Sequence, residues 1–244
     1  MQGLVEVTDL HVRYGDFEAV KGVTFSLAKG EILGIVGESG SGKSTIARTL
    51  IGLQKPSAGR ISSPSTDMQM IFQDAVGSLN PRMTVRQTLK EIIEFKNNRD
   101  GRTKAGRKCS DDSIIRLLNL VGLSPAVLDQ YPRELSGGQC QRVSVARALA
   151  TEPEILIADE PVSALDVSVQ ARVLNLLRDL RKNLGLTILL IAHDLAVVKN
   201  VCDRVCVMEK GRFVDVGTAE SVFAEPRSEY TKHLLSVVPK IPVF

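Results

Sequence analysis

The sequence predicts an α/β protein built on a mostly parallel sheet with helices on its faces. Three observations carry this. Short apolar runs at 31–36, 154–159 and 187–192 read as strands buried on both sides. Segments with apolar residues at helical spacing lie between them, at 44–52 and 167–184. Glycine-rich or acidic residues stand where strands end, the edge at which ligands bind in such sheets.

In chain order, residues 4–12 alternate well enough for a first strand, and 19–27 for a second, closed by the turn Lys29-Gly30. The buried run 31–36 follows, then a glycine-rich loop and the helix 44–52. Residues 69–73 form a further short strand. From about 75 to 150 the pattern is helical and more polar, which predicts a helical subdomain inserted between two strands of the sheet. Strand 154–159, helix 167–184 and strand 187–192 come next. Residues 205–209 and 212–216 read as a hairpin around Lys210-Gly211. The predicted organisation is thus a single domain. Residues 1–75 and 151–244 form its core and β part, and about 76–150 form the helical insert.

The chain has 244 residues, 43% hydrophobic and 24% charged, with a net charge of +3. That supports a real core, excludes general disorder and is no nucleic-acid signature. Residues 96–108 hold six basic residues and one acidic one, so the basicity is local. This segment reads as a solvated loop, with a docking surface for an acidic partner as the sharper alternative. The four cysteines, Cys109, Cys140, Cys202 and Cys206, form no CxxC and stand beside no histidine, which favours buried thiols in a reducing compartment over a metal site. The spacing of Cys202 and Cys206 suits one helix face, or one strand with both facing alike. No signal peptide is visible, and no apolar run is long enough to span a bilayer.

Residues 37–44, Gly-Glu-Ser-Gly-Ser-Gly-Lys-Ser, fit G-x-x-x-x-G-K-[ST] at every position, between a strand and a helix. Glycines let the backbone curl so that successive N–H groups face phosphate oxygens. The helix start adds its own N–H groups and dipole. Gly37, Ser39, Gly40, Gly42 and Thr45 line this loop; Lys43 can reach the β- and γ-phosphates, and the Ser44 hydroxyl can ligate Mg²⁺. A dinucleotide fingerprint is excluded, because Thr45 stands where its third glycine belongs.

An apolar strand that ends in Asp159-Glu160 needs a purpose for two charges. Asp159 can hold Mg²⁺, and Glu160 can orient or deprotonate a water that attacks the γ-phosphate. Ser136 and Gln139 have capping-box spacing, so a helix begins there. Gly137 and Gly138 in its first turn are poor helix residues and leave the N–H groups open to an anion. One chain that binds one nucleotide has no evident use for this second anion site.

The three motifs, 37–44, 135–139 and 155–160, in that order and at those separations, resemble the nucleotide-binding subunit of an ABC transporter, and the resemblance spans essentially the whole chain. It implies an ABC-type P-loop NTPase core sheet, an inserted helical subdomain and an N-terminal antiparallel β part, with ATP and Mg²⁺ as ligands. Tyr14 matches the aromatic residue that stacks on adenine. Gln73 matches the glutamine that joins Mg²⁺ and the attacking water to the helical insert. Residues 163–166, ending in Asp166, match the loop that crosses between subunits, and His193 matches the histidine that contacts the γ-phosphate. The resemblance further implies a head-to-tail dimer, in which Ser136–Gln139 of one subunit faces the phosphates held by the other. That resolves the puzzle of two anion sites.

Residues 73–82 and the tail Tyr230-Thr231-Lys232-His233-Leu234-Leu235 resemble the dipeptide, oligopeptide and nickel importer group. Members of that group usually carry Pro where Ala75 stands and often Thr where Val162 stands. The implied partners are a second ABC ATPase subunit, permease subunits that dock a helix near residues 73–81, and indirectly a substrate-binding protein, with no direct contact to nucleic acid. The implied place is the cytoplasmic face of the membrane. Alternatives are a soluble ABC-type ATPase of a carbon–phosphorus bond-cleaving complex and a nucleic-acid- or ribosome-associated ABC ATPase. The latter usually has two nucleotide domains or a long coiled-coil insert. A P-loop kinase is disfavoured by Ser136–Gln139 and Glu160.

Overall fold

A computed structural model describes residues 3–63, 67–99, 109–163 and 165–237. Two sheets form the frame. The larger has six strands in the order β5-β6-β7-β3-β8-β9. They are β3 (Ile32–Val36), β5 (Met68–Ile71), β6 (Ile155–Asp159), β7 (Thr187–Ala192), β8 (Arg204–Glu209) and β9 (Arg212–Thr218). The first five run parallel and β9 closes the edge antiparallel to β8. The smaller sheet is antiparallel, order β2-β1-β4, from β1 (Val5–Tyr14), β2 (Phe17–Leu27) and β4 (Ala58–Ser62).

Every residue of β3, β6 and β7 is buried. Alternation along these strands sorts their side chains between two cores, because successive residues face opposite sides of a sheet. Ile32 and Val36 of β3, Leu156 and Ala158 of β6, and Ile188 and Leu190 of β7 face one core. That core is completed by helices α4 (Gly137–Leu149), α5 (Val167–Leu184) and α6 (Leu195–Lys199). Leu33, Ile35, Ile155, Ile157, Leu189 and Ile191 face the other, which holds α1 (Lys43–Leu50) and the inner faces of β1 and β2. Each such fully buried aliphatic side chain contributes roughly 1.5–3 kcal/mol, so the three central strands hold the molecule together.

Between β5 and β6 the chain is helical, with α2 (Val85–Arg99), α3 (Asp111–Leu120), two short 3₁₀ turns and α4. Helix α5 occupies the span expected of it and stops at Gly185 in the left-handed region. The hairpin turn places both Lys210 and Gly211 at positive φ, as a type I′ turn requires.

Strand β4 has no signature in the sequence: four of its five residues are exposed, so it carries no hydrophobic signal and exists through its pairing with β1. Two expectations need correction. Cys202 and Cys206 share neither a helix face nor a strand: Cys202 lies in the turn after α6 and Cys206 within β8. Both are buried free thiols, Cys206 pushed by burial up to about 12 and Cys202 higher still. The basic segment 96–108 is no uniform loop, since Lys96–Arg99 end α2. Lys96 is buried and paired with Glu152, and Arg99 pairs with Asp67 at 3.2 Å. Residues 100–108 lie outside the described residues.

The last helices are α7 (Ala219–Ala224) and α8 (Glu229–Val237). Buried Asp215 of β9 fastens the start of α8, accepting from the Ser228 and Arg227 amides at 3.0 and 3.2 Å and from the Thr231 hydroxyl at 2.5 Å. Burial pushes this carboxyl up, but the hydrogen bonds together outweigh it and hold it below its ordinary value. A depressed carboxyl stabilises the fold above its unfolded value, and that contribution is lost as the pH falls through the folded one. Asp215→Ala leaves these donors without their acceptor, and we expect a loss of about 1–3 kcal/mol near neutral pH, read by urea denaturation. The deficit against wild type should shrink below pH 4.

Candidate nucleotide-binding and hydrolysis site

The site forms where β3, β5, β6 and β7 end, since parallel strands deliver their carboxyl termini to one edge. The loop after β3 curls over the start of α1. Gly42 caps that helix in the left-handed region at φ 109°, with no side-chain cap hydrogen bond. A Cβ at Gly42 would stand 2.4 Å from the Ala19 carbonyl of β2, and one at Gly37 would stand 2.1 Å from that of Met208. The glycines are therefore required by backbone closeness as well as by dihedral angle. The β8–β9 turn braces the loop from outside: the Gly211 amide donates to Ser41 O at 2.9 Å, and the Lys21 amide to Gly211 O at 2.8 Å.

Lys43 is 3% exposed. Its ammonium donates to Gly37 O at 2.7 Å and to Glu38 O at 2.8 Å. Burial lowers its pKa, against the opposing pull of Glu160, Asp159 and Glu38. The Ser41 hydroxyl is buried with no hydrogen-bond partner among the described residues. An orphaned polar oxygen, a buried cation and an uncapped helix start, all on one loop, fit an anionic ligand bearing several oxygens.

Asp159 ends β6 and is buried. Burial raises its pKa, and the Ser44 hydroxyl opposes this by donating to its Oδ1 at 2.8 Å. Two hard oxygen donors beside the phosphate loop fit Mg²⁺, which keeps few protein ligands and completes its shell with phosphate and water.

Glu160 is the meeting point of the site. Its backbone takes φ 45°, a strained angle for a non-glycine, fixed by donation from its amide to Ile191 O at 3.0 Å. Gln73, just past β5, donates its Nε2 to Glu160 Oε2 at 2.8 Å. Lys43 Nζ lies 4.0 Å from Oε1, and His193 Nδ1, past the end of β7, lies 3.5 Å from Oε2. Ser163 donates its hydroxyl to Glu160 O at 3.2 Å. Three segments far apart in sequence thus converge on one carboxylate, and His193 stays half exposed, open to a ligand.

Tyr14 and Phe17 are register partners at the β1–β2 turn and are both exposed, Phe17 two residues before Ala19, which abuts Gly42. Ser136 caps α4 with the full reciprocal box expected. Gly138 has a packing reason as well: a Cβ there would stand 2.6 Å from Val169 Cγ1 of α5. The polar contacts of Ser136 and Gln139 are with each other, and none joins them to residues 37–45 among the described residues. Asp166 caps α5 without a side-chain bond and is exposed, and Ala164 of the same loop lies outside the described residues. The motif does not mark Ser41, which stands at one of its variable positions, and the spacing does not reveal the brace from Gly211, which comes from a turn far along the chain.

Fold and site together define a P-loop nucleotide-binding protein with a carboxylate poised over its phosphate loop. The chain belongs to the ABC transporter family, whose profile matches residues 20–163. It is 44% identical to the oligopeptide transport ATP-binding protein OppF of Salmonella typhimurium, over 97% of this chain and 78% of that protein. It is 45% identical to OppF of Lactococcus lactis, over 92% and 73%. Among solved structures it resembles cbiO1 from Clostridium perfringens, part of the ABC transporter complex cbiONQ, with TM-score 0.78 and 30% identity over 92% of each chain. It also resembles the ATP-binding cassette MJ0796, a dimer in a post-hydrolysis state bound to ADP and phosphate, with TM-score 0.76 and 26% identity over 88% of this chain and 98% of that one.

Proposed function

We propose that this chain hydrolyses Mg-ATP as the ATPase subunit of a peptide importer, in a head-to-tail dimer with a second copy or a related subunit. The convergence of Gln73, Lys43 and His193 on Glu160 carries the reading. Residues 37–45 bind the phosphates through backbone amides, and Lys43 turns toward the β- and γ-phosphate oxygens. Tyr14 stacks on the adenine. Ser44, Asp159 and Gln73 hold Mg²⁺, which supplies charge neutralisation on the phosphates when bound. Glu160 accepts a proton from the attacking water, Gln73 orients Glu160, and His193 contacts the γ-phosphate.

The separation of Ser136–Gln139 from the phosphate loop in polar contacts supports the dimer, as does the dimeric state of MJ0796. In that dimer Ser136, Gly137, Gly138 and Gln139 of one subunit, together with the Asp166 loop, complete the site of the other. Residues 76–150 act as a helical subdomain within a single nucleotide-binding domain. A groove of about 500 Å³ between sheet and insert, lined by Phe72, Ser78, Asn80 and Met83 among others, suits a helix from a permease subunit. Among the described residues no helix is long and apolar enough to cross a membrane, so permeases supply the span. A substrate-binding protein delivers the solute, and the chain sits on the cytoplasmic face.

The peptide assignment rests on the OppF relatives. Its test is turnover of the purified complex with its binding protein: oligopeptides should raise ATPase activity several-fold. Stimulation by nickel alone, or purification free of permeases, would overturn it.

A further inference from the structure

Helix α8 reaches the phosphate loop. The Glu38 amide donates to the Tyr230 hydroxyl at 3.0 Å, across 192 positions of sequence. Glu38 is held at its other end too, because its carbonyl accepts from Lys43 Nζ at 2.8 Å and from the Ser41 amide at 3.2 Å. The Gly37–Glu38 peptide is thus clamped at both ends, its carbonyl accepting from Lys43 Nζ at 2.7 Å and its N–H donating to the Tyr230 hydroxyl at 3.0 Å.

The outer clamp is itself anchored. The ring of Tyr230 packs against the main core. Its neighbour Thr231 is buried and donates to Asp215, which also takes the amides that precede α8. Burial pushes the phenol up, the hydrogen bond from the Glu38 amide opposes it, and the Glu38 and Glu209 carboxylates add to the rise, so the group remains a neutral hydroxyl that can accept the amide hydrogen bond.

We propose that Tyr230 is a positioning residue of the nucleotide site, a latch by which the C-terminal helix sets the orientation of the Glu38 peptide in the phosphate loop. The inference rests on the phosphate loop binding ATP as argued above. When Lys43 turns to phosphate it gives up carbonyls it now holds, and the Tyr230 hydroxyl at the Glu38 N–H and the Ser41 amide at the Glu38 carbonyl are the attachments that keep residue 38 in place. Without the hydroxyl the loop is free to rotate this peptide, and part of the binding energy goes into ordering it.

The test is Tyr230→Phe in the full chain, which keeps the ring and removes only the hydroxyl. Equilibrium titration with Mg-ATP should show a Kd raised about 3- to 10-fold, the range for one lost hydrogen bond. Amide exchange at Glu38, followed by NMR in the nucleotide-free chain, should accelerate, which loss of packing alone would not produce. Lys43→Ala, titrated alongside, separates the two levels. If Lys43→Ala loses affinity while Tyr230→Phe binds as wild type with unaltered Glu38 exchange, the latch is overturned and the phosphate-loop reading stands. If Lys43→Ala binds as wild type, the phosphate-loop reading itself falls and takes the latch with it.

Discussion

Glu160→Gln should abolish steady-state ATP hydrolysis in the assembled complex while leaving ATP affinity within about twofold of wild type. The substitution preserves shape, and the Gln73 Nε2 bond to residue 160 survives because a glutamine oxygen accepts as a carboxylate oxygen does. What disappears is the carboxylate proposed above as proton acceptor. Positioned general bases are worth about 10²–10⁴ in rate, so turnover should fall at least 100-fold, which is about 2.7 kcal/mol of barrier. Binding is spared because the phosphates are met by the loop and by Lys43, with Glu160 4.0 Å from that ammonium. Wild-type turnover in the variant complex would remove Glu160 from the chemistry.

Lys43→Ala should fail at the earlier step. The ammonium is buried and tied to two carbonyls of its own loop, and it lies 4.0 Å from Glu160 Oε1. Its removal leaves Gly37 O and Glu38 O without that donor and leaves Asp159 and Glu160 without its counter-charge. Charged hydrogen bonds contribute about 1.5–3 kcal/mol each, so loss of the phosphate contact should weaken Mg-ATP binding about 10- to 100-fold or more. Unchanged affinity by equilibrium titration would refute the assignment of residues 37–45 as the phosphate loop. The two variants separate the roles: one binds without turning over, the other does not bind.

Much of the fold is legible in one dimension because its signals are local. A strand buried on both faces must be apolar throughout, and β3, β6 and β7 are. Gly185 stops α5 by its own φ, and Lys210-Gly211 makes its turn from its own dihedrals. The phosphate loop is legible for the same reason, since its glycines, lysine and serine are contiguous. Strand β4 is the opposite case. Its residues alone do not specify a strand, and pairing with β1 creates it. Lys96 reads as part of a solvated basic run, yet its position on α2 buries it against Glu152, a partner no local pattern reveals.

By itself, then, the sequence determined the parallel α/β core, the phosphate loop and the strand-end carboxylates, because spacing along the chain sets which side chains share a face and which backbone groups curl together. Only the tertiary structure decided that Gln73, Lys43 and His193 meet on Glu160, and that Tyr230 reaches the Glu38 amide. Those contacts join segments separated by up to 192 positions, and they follow from the strand order β5-β6-β7-β3-β8-β9 and from the packing of the C-terminal helix. No spacing along the chain encodes such neighbours; only the folded chain brings them within reach of one carboxylate and one phosphate loop.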